Sequence, residues 1–369
     1  MVKVNPHFKR TEREIIFPVI EKKMEGKNNL VNLGIGDVAL PLTHSIADAI
    51  CQATQEMTKR PIGYGPSAGY SFLREALAQK HHICADEIFI SDGINSDLAG
   101  IQELFDISCS IAVVDPGYPV FADTNLIAGR NVTYLPCVAS NNFIPQPPNA
   151  HVDLIYLCSP GNPTGVAMSR SNLEMWVNYA LQENALIVFD AAYASFITSE
   201  NVPKSIYEIP GARNVAIEMH SFSKSHGFTG LRCAYTIIPE ETGLKPLWNK
   251  RQNTKYNGCP YPIQKGALAA LACPDAPKQV QSYLACAQAL KNGLDGTIHG
   301  GIDSPYLWWQ VPDGTTSWQF FDHLLEQHGI VSIPGSGFGK SGEGFVRLSA
   351  FTTMAQVKTC LERLNVYAH

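Results

Sequence analysis

Short apolar runs alternate along the chain with segments in which apolar residues recur at helical spacing. The runs that we interpret as β-strands are Glu87–Ser91, Ser110–Asp115, Leu154–Ser159, Ala185–Asp190 and Asn214–Ser221. Helical patterns separate them, for instance Ser171–Glu183 after a serine cap. This alternation predicts an α/β fold with a mixed, mostly parallel sheet between helices.

The chain has a different pattern after about residue 265. A long helical segment comes first, then two predicted strands, Leu307–Val311 and Phe345–Ser349, and then a closing helix. We therefore predict a large domain over residues 41–264. Residues 1–40 and 265–369 together would form a smaller α+β domain.

Composition narrows the class of protein. Of the 369 residues, 45% are hydrophobic and 17% are charged, with a formal net charge of -5, which is ordinary globular composition without a basic stripe for nucleic acid. No apolar run approaches the ~18 residues of a membrane span, and the charged N-terminus lacks a signal-peptide core. The ten cysteines form no C-x-x-C pair, which favours the reducing cytoplasm and gives no zinc motif. We interpret the isolated pair His81-His82 as a solvated helix end, and we predict no metal site.

The turn after the fifth predicted strand combines a lysine with phosphate-binding groups. It contains Ser221, Ser223 and Lys224, and Arg232 follows. A lysine that is desolvated among small residues has a lowered pKa and becomes a nucleophile. The two hydroxyls and the guanidinium suit a phosphate dianion. A strand followed by a solvated basic loop is the alternative explanation.

Two further strand ends offer groups for a planar ring. Asp190 ends an apolar strand, where a carboxylate invites a cationic partner such as a pyridinium nitrogen, and Tyr193 could reach a ring hydroxyl. A helix N-cap would also explain Asp190. Asn162 lies in the Pro- and Gly-restrained loop Ser159–Gly165 and can hold its amide in a fixed direction, although a plain turn has the same residues.

The remaining two turns would complete such a site. Ile94 and Asn95 open a helix directly after a strand, where exposed amides bind phosphate. Tyr118 could present its aromatic face to a planar ring. Ligands in open α/β sheets bind at the carboxyl ends of strands, so the joint occurrence of these turns is more specific than any one of them.

These segments resemble the fold-type I aminotransferases that use pyridoxal 5'-phosphate (PLP), and within them the LL-diaminopimelate aminotransferase family. The resemblance covers essentially the whole chain. It rests on the loop Ser159–Gly165, the strand-end pattern Asp-x-x-Tyr, and the Ser-x-Ser-Lys segment with its arginine, supported by Leu33–Asp37, Gly63–Gly65 and Gly335–Gly339. It implies transfer of an amino group between an amino acid and a 2-oxo acid.

The resemblance also implies a role for each matching residue. Lys224 would hold PLP as a Schiff base, Asp190 would pair with the pyridine nitrogen, and Asn162 and Tyr193 would bond the ring oxygen. Tyr118 would stack on the ring. The phosphate would be bound by the amides of Ile94 and Asn95, by Ser221 and Ser223, and by Arg232.

Substrate contacts and the assembly follow from the same resemblance. Arg347 would bind the substrate α-carboxylate, with a surface salt bridge as the alternative, and Gly36 would lie at the substrate. Tyr64 and Asn257 match positions that reach into the neighbouring subunit's site, so a homodimer is implied.

The sequence departs from the family pattern where substrate choice is decided. Ser67 stands where an acidic residue reads the distal ammonium of diaminopimelate, and Asn95 stands where a lysine helps to read the distal carboxylate. Ile15 stands where a tyrosine is usual. Together these changes remove both charges that would complement a zwitterionic distal group.

Three functions are consistent with these residues. The first is an aminotransferase. The second is a PLP enzyme of another reaction class, such as a lyase, cyclase or oxidase, which the loss of the distal charges would suit. The third is a PLP-binding protein without turnover. The segment Gly335–Ser341 resembles a phosphate-binding Walker A loop, but Pro334 occupies the position of the first glycine, so we do not expect ATP binding.

Overall fold

The computed structural model describes residues 2–11 and 16–365. Its α-helices are α1 (Ile16–Met24), α2 (His44–Lys59), α3 (Ser71–His81), α4 (Ile94–Ile101), α5 (Pro119–Ile127), α6 (Arg170–Glu183), α7 (Ala212–Val215), α8 (Ser223–His226), α9 (Lys245–Lys255), α10 (Tyr261–Leu271), α11 (Ala276–Gly293), α12 (Ser317–His328) and α13 (Met354–Asn365). Its strands are β1 (Val31–Asn32), β2 (Ile88–Ser91), β3 (Ile111–Asp115), β4 (Val132–Pro136), β5 (Leu154–Cys158), β6 (Leu186–Asp190), β7 (Ala216–Ser221), β8 (Ala234–Ile237), β9 (Ile298–Gly300), β10 (Tyr306–Gln310), β11 (Ile330–Val331), β12 (Ile333–Pro334) and β13 (Phe345–Ser349).

A seven-stranded sheet with the order β2-β8-β7-β6-β5-β3-β4 runs through the centre of the molecule. The neighbours from β7 to β4 pair in parallel, whereas β8 is antiparallel to both β7 and β2. Alternate residues of β5 enter different core clusters, Tyr156 on one face and Ile155 on the other. Both faces are therefore covered, which explains why the central strands are continuously apolar. The predicted α/β fold is confirmed.

The predicted strands are present with small shifts at their ends. The run Asn214–Ser221 becomes a strand only at Ala216, because Ala212–Val215 form α7. The run Leu307–Val311 is displaced by one residue. The sequence prediction did not include β4 and β8. β4 is an edge strand whose residues are mostly exposed, so it lacks a clear apolar pattern.

Two smaller sheets form from β1 and from strands in the last third of the chain. One is antiparallel with the order β12-β13-β10-β9, and the other is the parallel pair β1-β11. Val31 and Leu33 share a hydrophobic cluster with residues of α11, α12 and α13, whereas Ala267 and Ala270 of α10 pack with Ile46 of α2. The division at residues 40 and 265 stays a prediction. No helix of the described ranges is long and apolar enough to cross a membrane.

The two histidines at the end of α3 differ in their exposure to solvent. His82 is exposed and caps the helix in a left-handed conformation, as a solvated helix end would. His81 is half-buried, and its Nε2 lies 2.8 Å from the hydroxyl of Tyr235. The interpretation as a solvated end was therefore wrong for His81, because α3 packs the end of its last turn against β8.

Candidate active site

A cavity of about 350 Å³ opens at the carboxyl ends of the central strands, where the five predicted turns converge. The sequence-predicted residues that line it are Gly36, Ile94, Asn95, Tyr118, Asn162, Asp190, Tyr193, Ser221, Ser223, Lys224, Arg232 and Arg347. Parallel strands end at one edge of a sheet, and β2 shares this direction because it is antiparallel to β8. The topology thus brings together groups that are far apart in sequence.

Lys224 follows β7 and points its amine into this cavity. Its Nζ donates a hydrogen bond to the carbonyl of Gly36 and lies 5.5 Å from the centroid of the Phe351 ring. Burial lowers the pKa of Lys224 from 10.5 to about 8, and the neighbouring cations Arg347 and Arg232 act in the same direction. A lysine with this pKa is partly neutral near neutral pH and can act as a nucleophile or a base.

Asp190 is a buried carboxylate at the end of β6. Its Oδ1 accepts a hydrogen bond of 2.9 Å from the amide of Ala192, and no Lys or Arg of the described ranges forms an ion pair with it. Burial raises the pKa of Asp190 from 3.8 to about 6. A carboxylate in this state gains from a cationic partner such as a protonated ring nitrogen.

An anion site lies at the start of α4. The φ of Gly93 is 144°, and a β-carbon there would collide with the guanidinium of Arg232, so the glycine lets the arginine reach the helix N-terminus. Arg232 Nη1 lies 3.5 Å from Ser223 Oγ, and Ser221 lines the same wall. Amides, hydroxyls and a guanidinium converge here, as a phosphate requires.

Arg347 is buried at the opposite side of the cavity, with 2% of its surface exposed. Its Nη1 donates to Asn162 Oδ1 at 2.9 Å, and its Nη2 donates to the carbonyl of Gly34 at 2.6 Å. The guanidinium lies over the rings of Tyr306 and Phe338, and its Nε has no hydrogen-bond partner. Burial rules out the surface salt bridge, and the charge of Arg347, which lines the cavity, suits a carboxylate ligand.

The sequence prediction did not include several residues that line the cavity, and Tyr306 and Asp37 are the ones that interact with predicted site residues. Tyr306 opens β10, and its hydroxyl lies 3.0 Å from that of Tyr193. It comes from the smaller antiparallel sheet, so the search for turns after parallel strands could not find it. Asp37 also lines the cavity, and its charge raises the pKa of Lys224 against the effect of burial. Its place in the segment Leu33–Asp37 was the available signal.

The positions predicted to select the substrate lie in different surroundings. Asn95 Oδ1 accepts a hydrogen bond of 2.8 Å from the hydroxyl of Tyr118. Ser67 lies outside this chain's cavity and donates to Asn253 Oδ1 at 2.7 Å. Tyr64, which is 90% exposed, and Asn257 also lie outside it. Ile15 lies outside the described residues.

The side chains of the cavity fit PLP group by group. The anion site at α4, the buried carboxylate of Asp190 and the amine of Lys224 match a phosphate, a pyridinium nitrogen and an aldehyde carbon. Tyr118 lines the same wall and offers an aromatic face.

Comparison with known proteins gives consistent matches. The family model for aminotransferase class I and II matches residues 28–364. An LL-diaminopimelate aminotransferase of Lawsonia intracellularis is 46% identical over 379 residues, which cover 93% of this chain and 92% of that protein. One from Bacteroides fragilis is 42% identical over 408 residues, with coverage of 99% and 98%. The solved structure of the L,L-diaminopimelate aminotransferase from Chlamydomonas reinhardtii has a TM-score of 0.92 at 38% identity, and the match covers 99% of this chain and 98% of that one.

The same alignments indicate that this chain is internally shorter. The match with the Bacteroides fragilis protein extends over 408 positions, against 369 residues here. Nearly all of both chains is covered, so at least 39 positions of that relative have no counterpart and lie within the chain. The seven-stranded sheet and the cavity residues are nevertheless complete.

Proposed function

This chain belongs to the aminotransferase class I and II family and is a PLP-dependent aminotransferase, and from that premise we propose that its amino donor carries no charged pair at the far end of its side chain. The supporting observation is the neutrality of the two positions that read this end in the family pattern. Asn95 is bonded to Tyr118, and Ser67 is bonded to Asn253. A zwitterionic distal group would lose its hydration on binding and would find only these neutral partners, which lowers the affinity.

The chemistry is that of the family. When bound, PLP supplies an electron-accepting ring that stabilises the electron pair left at the substrate Cα. Lys224 is the base that moves the Cα proton, because its lowered pKa leaves part of it neutral. Asp190 keeps a proton at the pyridine nitrogen, and this ion pair removes the cost of burying the carboxylate.

Arg347 and its neighbours orient the substrate. The guanidinium binds the α-carboxylate through donors that are already fixed by Gly34 and Asn162. Tyr193 and Asn162 bind the ring oxygen of the cofactor, and Gly36 lies beside the reacting amine. A substrate held in one orientation exposes the same Cα bond to Lys224 in each turnover.

A second copy of the chain completes the site. Tyr64 and Asn257 are exposed and lie outside this chain's own cavity, which agrees with a role in the cavity of a partner in a homodimer. The enzyme works in the cytoplasm under the same proposal, because all ten cysteines are free thiols. Its small-molecule partners are an amino acid and a 2-oxo acid.

LL-diaminopimelate is the second candidate donor. The relatives at 41% to 46% identity carry that activity in their names and align over nearly the whole chain. Under this candidate, other groups, such as Asp37 in the cavity, would replace the charges absent at Ser67 and Asn95.

A donor panel separates the two candidates. Purified holoenzyme is assayed with LL-diaminopimelate and with neutral amino acids of similar length, with 2-oxoglutarate as acceptor and glutamate formation as readout. The first candidate predicts faster turnover of a neutral donor. It also predicts that Ser67→Glu with Asn95→Lys raises kcat/KM for LL-diaminopimelate by about 10-fold or more. If the unmodified enzyme prefers LL-diaminopimelate, the first candidate is rejected and the second stands.

A further inference from the structure

Two histidines and a glutamate meet on the side of the large sheet that faces away from the cofactor. Met219 pairs with Asp190 and points to the cofactor side, so Glu218 and His220 on either side of it point to the other face. His81, at the end of α3, packs against His220 with 4.9 Å between ring centroids. The candidate ligand atoms of His81, Glu218 and His220 all lie within 4.8 Å of one another.

Hydrogen bonds to one oxygen of the Glu218 carboxylate fix the orientation of this side chain. Glu218 is fully buried, and its Oε2 accepts hydrogen bonds from Ser205 Oγ at 2.9 Å and from the amide of Ile206 at 2.7 Å. Its Oε1 is left for His220 Nε2, at 2.5 Å. Metal ligands in proteins are oriented by such outer hydrogen bonds, so Oε1 is fixed at the position from which it would bind a cation.

The two imidazoles are restrained as well. The His220 ring stacks on Tyr235 at 4.9 Å with an interplanar angle of 13°, and the hydroxyl of Tyr235 lies 2.8 Å from His81 Nε2. Ligands of a tetrahedral zinc ion at ~2.1 Å lie about 3.4 Å from one another. To surround one ion, Glu218 Oε1 and His220 Nε2 would move apart from 2.5 Å, and the more distant ligand atoms would approach by up to about 1.4 Å.

The cluster adjoins a second cavity, from which a water molecule or an anion would provide the fourth ligand. This cavity of about 250 Å³ is lined by His81 and His220 and also by Lys80 and Lys204. The two lysines oppose a bare dication but favour one that carries an anion or hydroxide in the open position. Two imidazoles and one carboxylate match zinc and similar borderline cations, not magnesium or calcium, which prefer oxygen ligands.

We propose that His81, Glu218 and His220 bind one divalent transition-metal ion, zinc or a cation of similar chemistry, which ties the end of α3 to β7. Since β7 ends at Ser221, next to the cofactor-binding turn, the ion stabilises the strand that positions this turn. This site does not depend on which donor the enzyme uses.

The test measures metal content of holoenzyme after treatment with EDTA, reloading with zinc and removal of free metal. The matched variants are His81→Phe, which keeps a ring beside His220, and His82→Ala, which removes the exposed histidine next to it. We expect one zinc per chain in the unmodified enzyme and in His82→Ala, and a large loss in His81→Phe. Cobalt loading should add visible bands in the same two proteins and not in His81→Phe.

Stability gives an independent readout. Zinc should raise the Tm of the unmodified enzyme and of His82→Ala, and leave that of His81→Phe unchanged. The visible absorbance of bound PLP establishes that each variant is folded. The proposal is overturned if the unmodified enzyme retains no zinc, or if His81→Phe retains as much as His82→Ala.

Discussion

The two ends of the active-site cavity are built in different ways. At the cofactor end, every group comes from a turn at the carboxyl end of a strand of one sheet, and burial shifts the pKa values of Lys224 and Asp190. At the end that we propose to select the substrate, Asn95 and, from outside this chain's own cavity, Ser67 are neutral and are bonded to other side chains. The comparison teaches that one sheet brings the cofactor groups together, whereas single neutral residues, Asn95 after β2 and Ser67 in a surface turn, can change the donor without altering the sheet.

The largest effect is expected from Lys224→Ala, at the centre of the cofactor end. Removal of the base and of the covalent attachment should lower kcat by at least ~10³-fold. Glutamate formation measures turnover, and the visible absorbance of bound PLP reports the attachment. Lys59→Ala, at the exposed end of α2, should retain full activity. Turnover of Lys224→Ala near that of the unmodified enzyme would show that the cofactor end does not carry the reaction.

Arg347 connects the two ends, and its loss should have the next largest effect. Two charge-assisted hydrogen bonds to the α-carboxylate are worth ~1.5–3 kcal/mol each, so Arg347→Ala should lower kcat/KM by roughly 10²–10⁴-fold. The loss should be similar for all donors, because every amino acid has this carboxylate. Arg347→Lys keeps the charge without the planar fork and should recover only part of the activity. Arg60→Ala, on the exposed end of α2, serves as control. A donor-dependent loss would assign Arg347 to the selecting end.

The third effect concerns the pH dependence of the free energy of unfolding, to which the buried Asp190 at the cofactor end contributes. Because the pKa of Asp190 rises from 3.8 to about 6 on folding, the folded apoenzyme holds this proton more tightly than the unfolded chain. Stability is therefore lost as pH rises through 3.8 to 6, by about 3 kcal/mol. Asp190→Asn removes this loss, so the variant apoenzyme should be the more stable one at pH 7 and should lose that advantage toward pH 4.

Denaturant unfolding of the apoenzymes at the two pH values measures this difference. PLP should stabilise the unmodified enzyme more than Asp190→Asn, because only the carboxylate pairs with the ring nitrogen. Asp48→Asn, on an exposed position of α2, is the control substitution of a carboxylate by an amide. An advantage of Asp190→Asn that is equal at both pH values would contradict the burial of an ionised Asp190.

The same contrast between the two ends explains what could be predicted from the sequence. Strand-end turns are visible because an apolar run, a small or polar residue and a helical pattern follow one another, and Asp190 and Lys224 were found in this way. Tyr306 was not, because it reaches the cavity from the smaller antiparallel sheet. His81 was misread because its partners Tyr235 and His220 are distant in sequence, and only the packing of α3 on the sheet brings them together.

The smallest expected effect comes from Tyr118→Phe, which tests where the boundary between the two ends lies. The variant keeps the aromatic ring that lines the cavity and removes the hydroxyl that donates to Asn95 Oδ1 at 2.8 Å. A hydrogen bond of this kind is worth ~0.5–1.5 kcal/mol net, so we expect a change of about 2- to 10-fold.

Whether Tyr118→Phe changes the preference between donors or the affinity for PLP is more informative than the size of the change. If Asn95 belongs to the selecting end, Tyr118→Phe should alter the ratio of kcat/KM between neutral donors and LL-diaminopimelate and leave the affinity for PLP almost unchanged. A weaker affinity for PLP with a constant donor ratio would instead place Asn95 at the cofactor end. A double-mutant cycle with Asn95→Ala isolates the pair, because the two substitutions should not be additive if the hydrogen bond is the common cause. Additive effects on the donor ratio would mean that Asn95 contacts the donor directly and that its bond to Tyr118 plays no part in selection.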